Sequence, residues 1–239
     1  MSNRPSLAGR ALPSVALASL FLAQAALAGP DWDEPTSSDA GDSASTAQVI
    51  TTDGSISTIR GKLGGNGLLA GDFQDLFVVR ITDPEAFSIS TLSADGGFTT
   101  FNPMLFVFRY GGSGDDAKAR AILANDDFFA GSTAARVGSR ANDGSGAAIT
   151  EAGLYIIGIS AFASVPTNSF GEPLFGSNLF EPGLVVGPDG GLNSLTLGGW
   201  TQGTEGGEYL IRITGAAGVP APGAFGLLAL AGLARRRRR

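Results

Sequence analysis

The chain has 239 residues, with 16 basic and 22 acidic side chains and a formal charge of −6. It has no cysteine and no histidine, so it has no disulfide, no thiol nucleophile and no thiolate metal site, and it lacks the commonest general base and transition-metal ligand. Seven of the 16 basic residues are Arg4, Arg10 and Arg235 to Arg239 at the two ends, which leaves 9 basic against 22 acidic residues between them. That balance argues against nucleic acid or an anionic membrane surface as a partner of the central part and suits cations.

Residues 1–28 have the pattern of a secretory signal, expected as an apolar N-terminal helix. Arg4 and Arg10 form the basic start, Val15 to Leu22 is a short apolar core, and Ala26-Leu27-Ala28 is a small-x-small cleavage site. Signal peptidase would cut between Ala28 and Gly29. Residues 29–46 are acidic, Ser-rich and Pro-containing, and predict a flexible acidic linker in which Asp31, Asp33 and Glu34 form a solvated charge run.

Strand signals begin at Gln48. Gln48 to Thr52 and Ser55 to Leu63 predict a hairpin around Asp53-Gly54, a favoured turn pair. The Gly64-Gly65-Asn66-Gly67 loop lacks the Lys-Ser/Thr ending of a phosphate-binding loop. Asp75 to Ile81 alternates, with Phe77, Val79 and Ile81 on one face and Leu76, Val78 and Arg80 on the other. Ala86 to Leu92 follows the Asp83-Pro84 turn. Met104 to Tyr110 repeats the alternation with Arg109, and Leu154 to Ser160 is a further strand. Glu208 to Thr214 closes the domain, with Tyr209, Ile211 and Ile213 inward and Arg212 outward. Arg80, Arg109 and Arg212 read either as an anion-facing stripe or as a solvated sheet face; edge protection favours the second. Many short strands between Gly, Asn and Asp turns, together with 36 glycines, predict an all-β antiparallel sandwich over 47–215.

Residues 163–206 carry four prolines and many glycines, yet also Phe170, Phe175, Leu179, Phe180 and Trp200. They predict a long ordered excursion packed on one end of the sandwich. The alternative is a sugar-binding loop that keeps its aromatics partly exposed.

Two acidic groups sit beside strands: Asp72 and Asp75, and Asn125, Asp126 and Asp127. Their oxygens are the donors hard Ca²⁺ takes, although the spacing is not that of an EF-hand loop and the same residues also cap turns. Gly71-Asp72 with Asp75-Leu76-Phe77, Asn125-Asp126-Asp127, Ala152 to Ser160, Gly198-Gly199-Trp200 and Gly207 to Gly215 together resemble the bacterial pre-peptidase C-terminal (PPC-like) domains. The resemblance implies a jelly-roll β-sandwich with a binding, folding or secretion role and no catalysis. It also implies Ca²⁺ as a candidate ligand, with Asp72, Asp75, Asn125, Asp126 and Asp127 as its ligands.

The tail, 216–239, has three parts. Val219-Pro220-Ala221-Pro222 is stiff, extended and short of N–H donors. Gly223 to Ala234 is wholly apolar, and counted from Ala216 it approaches the length of a short transmembrane helix. Arg235, Arg236, Arg237, Arg238 and Arg239 should stay on the cytoplasmic side. This order resembles the PEP-CTERM sorting signals, with Val-Pro-Ala-Pro where the eponymous motif has Pro-Glu-Pro. The resemblance implies recognition by an exosortase-type membrane transpeptidase, transient membrane residence and delivery to the cell surface or extracellular matrix. The alternative is a secreted carbohydrate- or matrix-binding module, with extracellular polysaccharide as partner and a permanent C-terminal membrane anchor.

Overall fold

The computed structural model describes residues 31–34, 39–64 and 71–220. The expected signal helix, the Ala28–Gly29 junction, Ala221, Pro222, the tail helix and Arg235 to Arg239 lie outside the described residues. Among the described residues there are fourteen strands, three short 3₁₀ turns and no α-helix, and so no helix long and apolar enough to cross a membrane.

In chain order the strands are β1 (Asp31–Asp33), β2 (Gln48–Val49), β3 (Thr58–Leu63), β4 (Gln74–Ile81), β5 (Ser88–Ser90), β6 (Phe98–Thr99) and β7 (Pro103–Gly111). They continue as β8 (Lys118–Asn125), β9 (Arg136–Val137), β10 (Gly153–Ala161), β11 (Pro166–Thr167), β12 (Gly199–Trp200), β13 (Gly207–Thr214) and β14 (Ala216–Ala217). One six-stranded sheet runs β1-β3-β13-β5-β9, with β6 also on β13; a second runs β14-β4-β10-β7-β8, with β2 also on β4; β11 and β12 pair as a separate two-stranded ladder. The two six-stranded sheets pack as a β-sandwich. Both sheets are mixed, because β1 joins β3 and β2 joins β4 in parallel. The purely antiparallel expectation therefore fails at the N-terminal segment, which reaches its partners by crossing the structure rather than through a tight turn.

Alternation places the inter-sheet core. Phe77, Val79 and Ile81 of β4, Leu105 and Val107 of β7, and Ile157 and Ile159 of β10 face Ile59 of β3 and Tyr209, Ile211 and Ile213 of β13. The opposite faces of β4, β7 and β10 are apolar as well. Leu76, Val78, Met104, Phe106, Phe108 and Ile156 form a second core beneath Val165, Leu174, Phe175, Leu179 and Val186. The near-continuous apolar run of β7 fits this, since a strand covered on both sides has no polar face to show. Each fully buried Phe there contributes about 1.5–3 kcal/mol.

Three expectations change. The Asp53-Gly54 turn does not close a hairpin: β2 pairs with β4 in one sheet and β3 with β13 in the other. The chain crosses between sheets at that turn, where Gly54 has φ +87°, and splitting the two strands buries Ile50 and Ile56 in the inter-sheet core. The 163–206 excursion covers the outer face of a sheet rather than one end. Its 195–197 stretch also pairs along β8 through Ala121 N–H to Leu195 C=O and Leu197 N–H to Ala119 C=O, at 2.9 and 2.8 Å, so it shields an edge as well as a face. The segment expected as a flexible acidic linker is built in where described. β1 lies on β3, Ala40 is fully buried, and Gly41 C=O accepts from Leu76 N–H at 3.1 Å.

Candidate functional site

At the end of the sandwich where β4 begins, Asp75 points inward on the same face as Phe77 and is fully buried. Opposite it stands Tyr209 of β13, whose hydroxyl donates to Asp75 Oδ2 at 2.5 Å. Asp75 Oδ1 is buried with no hydrogen-bond partner. Room for the phenol comes from Gly61, which is level with Tyr209 in the β3–β13 ladder. A Cβ at 61 would lie 2.1 Å from the Tyr209 oxygen and 2.7 Å from Glu34 Oε2.

The N-terminal segment supplies the other side. Glu34 continues the line of β1, its N–H donating to Arg60 C=O at 2.8 Å. Its Oε1 accepts from Ala40 N–H at 2.8 Å and its Oε2 from Lys62 N–H at 3.3 Å. One carboxylate oxygen each from Glu34, Asp39 and Asp75 lie within 4.8 Å of one another. Asp72 stands close by, with Oδ2 accepting from Gly64 N–H at 2.7 Å. Among the described residues, no ion pair reaches these four carboxylates.

The electrostatics follow. Burial pushes the Glu34 carboxyl up to about 7, against the pull of the Lys62 and Ala40 N–H groups and with the help of Asp39 and Asp72. Burial, and next the charge of Glu34, hold Asp75 well above the usual carboxylate range despite the Tyr209 hydrogen bond. Burial also raises Asp72 and, with Asp75 beside it, Tyr209. The group is a set of hard oxygen donors crowded together without a positive partner. It suits an oxygen-loving cation.

The second acidic group sits elsewhere. Asp75 is level with Ile159, Ile159 with Leu105, and Leu105 with Asn125. Asp75 and Asn125 thus share a row but stand three strands apart, about 14 Å at the usual strand spacing. Asn125 is occupied as a clamp: its Nδ2 donates to Leu184 C=O at 2.7 Å and to Asp127 C=O at 3.1 Å, and its Oδ1 accepts from Arg136 N–H at 2.8 Å. Asp126 is buried, and desolvation, helped by Asp127, lifts its carboxyl to about 7. Desolvation also raises Asp127. Oδ1 of each lacks a partner. The five residues singled out in the sequence therefore form two groups rather than one ligand set. Glu34, Asp39 and Tyr209 complete the first, and only the acidic run around Glu34 hinted at them.

The three strand arginines do not form a stripe. Arg212 belongs to one sheet, and Arg80 and Arg109 to the other. Arg109 lies over the Tyr155 ring, 4.8 Å from its centre, and donates to its hydroxyl at 2.6 Å.

Beside the carboxylates opens a cavity of about 440 Å³ bordered by Asp42, Ser43, Phe73, Gln74, Trp200 and Gln202. Trp200 Nε1 donates to Asp42 C=O at 2.7 Å, while its ring meets Phe106 edge-on at 5.5 Å. Of the excursion's other aromatics, Phe175 is buried, whereas Phe170 is 70% and Phe180 44% exposed.

No family model, curated protein or solved structure matches this chain.

Proposed function

We propose that this is an exported, non-enzymatic protein of the cell surface or extracellular matrix. Its β-sandwich, of jelly-roll-like and PPC-like kind, is cargo between a cleaved leader and a sorting tail. Signal peptidase releases residues 1–28. The apolar stretch then holds the chain in the membrane with Arg235 to Arg239 on the cytoplasmic side, until an exosortase-type transpeptidase acts near Val219 to Pro222. The observation that carries this reading is the tail's three-part order: a proline motif, an uncharged apolar run and five terminal arginines. The body's last contacts agree with it. β14 pairs with β4, and Val219 N–H donates to Ile50 C=O at 2.7 Å, so the sandwich's contacts reach the first residue of the motif. A chain without histidine or cysteine also suits a binding or structural role.

The test is to replace Arg235 to Arg239 together with Ala and fractionate the cells. Retention and surface delivery should be impaired; unchanged localisation contradicts the reading. The Trp200 cavity favours a second reading, a carbohydrate- or matrix-binding module on a permanent anchor. Polysaccharide capture that is lost in Trp200→Ala, from protein that keeps its tail, would select it.

A further inference from the structure

We infer that Glu34, Asp39 and Asp75 bind one hard divalent cation of the calcium class, and that this ion fastens the N-terminal strap to the sandwich.

The spacing is the first reason. Oxygens that share a Ca²⁺ at about 2.3–2.6 Å stand at most about 5 Å apart. The three carboxylate oxygens lie within 4.8 Å of one another, close enough to share one such ion. The second reason is independent of the clustering. Asp75 Oδ1 is buried and has no hydrogen-bond partner, while its sister oxygen is held by Tyr209 at 2.5 Å. An unpaired acceptor in a closed interior is costly, and more so when charged. A cation is the partner that would satisfy this oxygen and the neighbouring carboxylates together. The donor chemistry narrows the choice further: a chain with no histidine and no cysteine offers only hard oxygen ligands.

The ligands come from two places. Asp75 is on β4 in the body, while Glu34 and Asp39 belong to the strap that continues through Gly41 and Asp42 into β2. The strap is held by Ala40 N–H on Glu34 Oε1 and by Leu76 N–H on Gly41 C=O. An ion on all three carboxylates replaces mutual repulsion with a common tie. This site does not depend on how the tail is processed.

The chain's two tryptophans both report on the strap. Trp32 is two residues before Glu34 and donates to Gln48 Oε1 at 2.7 Å; Trp200 donates to Asp42 C=O. The experiment uses the exported protein, stripped with EDTA and titrated with CaCl₂ under calorimetry, tryptophan fluorescence and thermal melting. It should bind one Ca²⁺ saturably at these residues, change its tryptophan emission with the same midpoint, and melt about 5–10 °C higher at a hundredfold excess over Kd. Asp75→Asn keeps an acceptor for Tyr209 and should weaken Ca²⁺ at least tenfold. Asp39→Asn, at an exposed position, provides a variant whose folding is not in question and should do the same. Asp126→Asn should leave this binding event unchanged. Absence of saturable Ca²⁺ binding overturns the inference, and so does unaltered affinity in folded Asp39→Asn protein.

Discussion

Replacing Tyr209 with Phe removes one oxygen from a fully enclosed polar contact. Tyr209 is 1% exposed and Asp75 fully buried, so water cannot step in without opening the end of the sandwich. A hydrogen bond to a charged partner contributes about 1.5–3 kcal/mol, and a neutral one about 1 kcal/mol. Since Oδ1 of Asp75 already lacks a partner, the variant leaves both oxygens bare. In EDTA we expect a loss of about 2–3 kcal/mol where Asp75 is ionised and about 1 kcal/mol where it is protonated. The sign with pH follows from burial, which raises Asp75 in the folded state. The folded chain keeps a proton that the unfolded chain releases, so stability is fullest below the unfolded value and falls as pH rises toward the folded one. Tyr209 normally opposes that rise, so Tyr209→Phe should fall more steeply. Urea unfolding followed by tryptophan fluorescence between pH 5 and pH 9 measures both curves. A loss under about 0.5 kcal/mol at every pH, or one that shrinks as pH rises, would refute the contact's assigned role.

Three further substitutions probe other parts of the account. Phe175→Ala should cost about 3–5 kcal/mol by urea melts, because Phe175 is 2% exposed and lies 5.8 Å from the Phe106 ring; a loss under about 1 kcal/mol would mean the excursion is not part of the core. Gly61→Ala should destabilise by more than about 2 kcal/mol through the clash with the Tyr209 hydroxyl, and Gly61→Ala combined with Tyr209→Phe should cost less than the sum of the two. Asp126→Asn should match the parent below pH 4 and grow more stable than it up to about pH 7, since burial lifts this carboxyl from 3.8 to about 7. The arithmetic ceiling of roughly 4 kcal/mol falls to about 1–2 kcal/mol once solvent screening is allowed for, and a flat difference from pH 4 to 7 would contradict it.

What the sequence discloses depends on how local the cause is. β13 announces itself through alternation, because it buries one face between the sheets, while β4, β7 and β10 show as strands of eight or nine mostly apolar residues, because both their faces are covered. β8 is muted: Ala119, Ala121 and Ala124 fill the small space beneath the excursion, and alanine carries little strand signal. Asp53-Gly54 has the composition of a hairpin turn, yet whether the flanking strands pair with each other is decided by which cores need Ile50 and Ile56. The aromatic content of 163–206 gives away an ordered segment, but the face it covers depends on Phe106 and Phe108, about seventy residues earlier. At the carboxylate cluster, Asp72 and Asp75 are legible beside their strand. Glu34 and Asp39 look like ordinary surface charge until the fold brings them to Asp75, and the Tyr209 contact spans 134 residues of chain.

The most direct measurement is mass spectrometry of both ends of the native protein, recovered separately from cell envelope and culture medium. The proposed route predicts a chain that begins at Gly29, retains the body through Val219, and has lost Arg235 to Arg239. A chain found in the cytosol with Met1 and Arg239 both in place would contradict it.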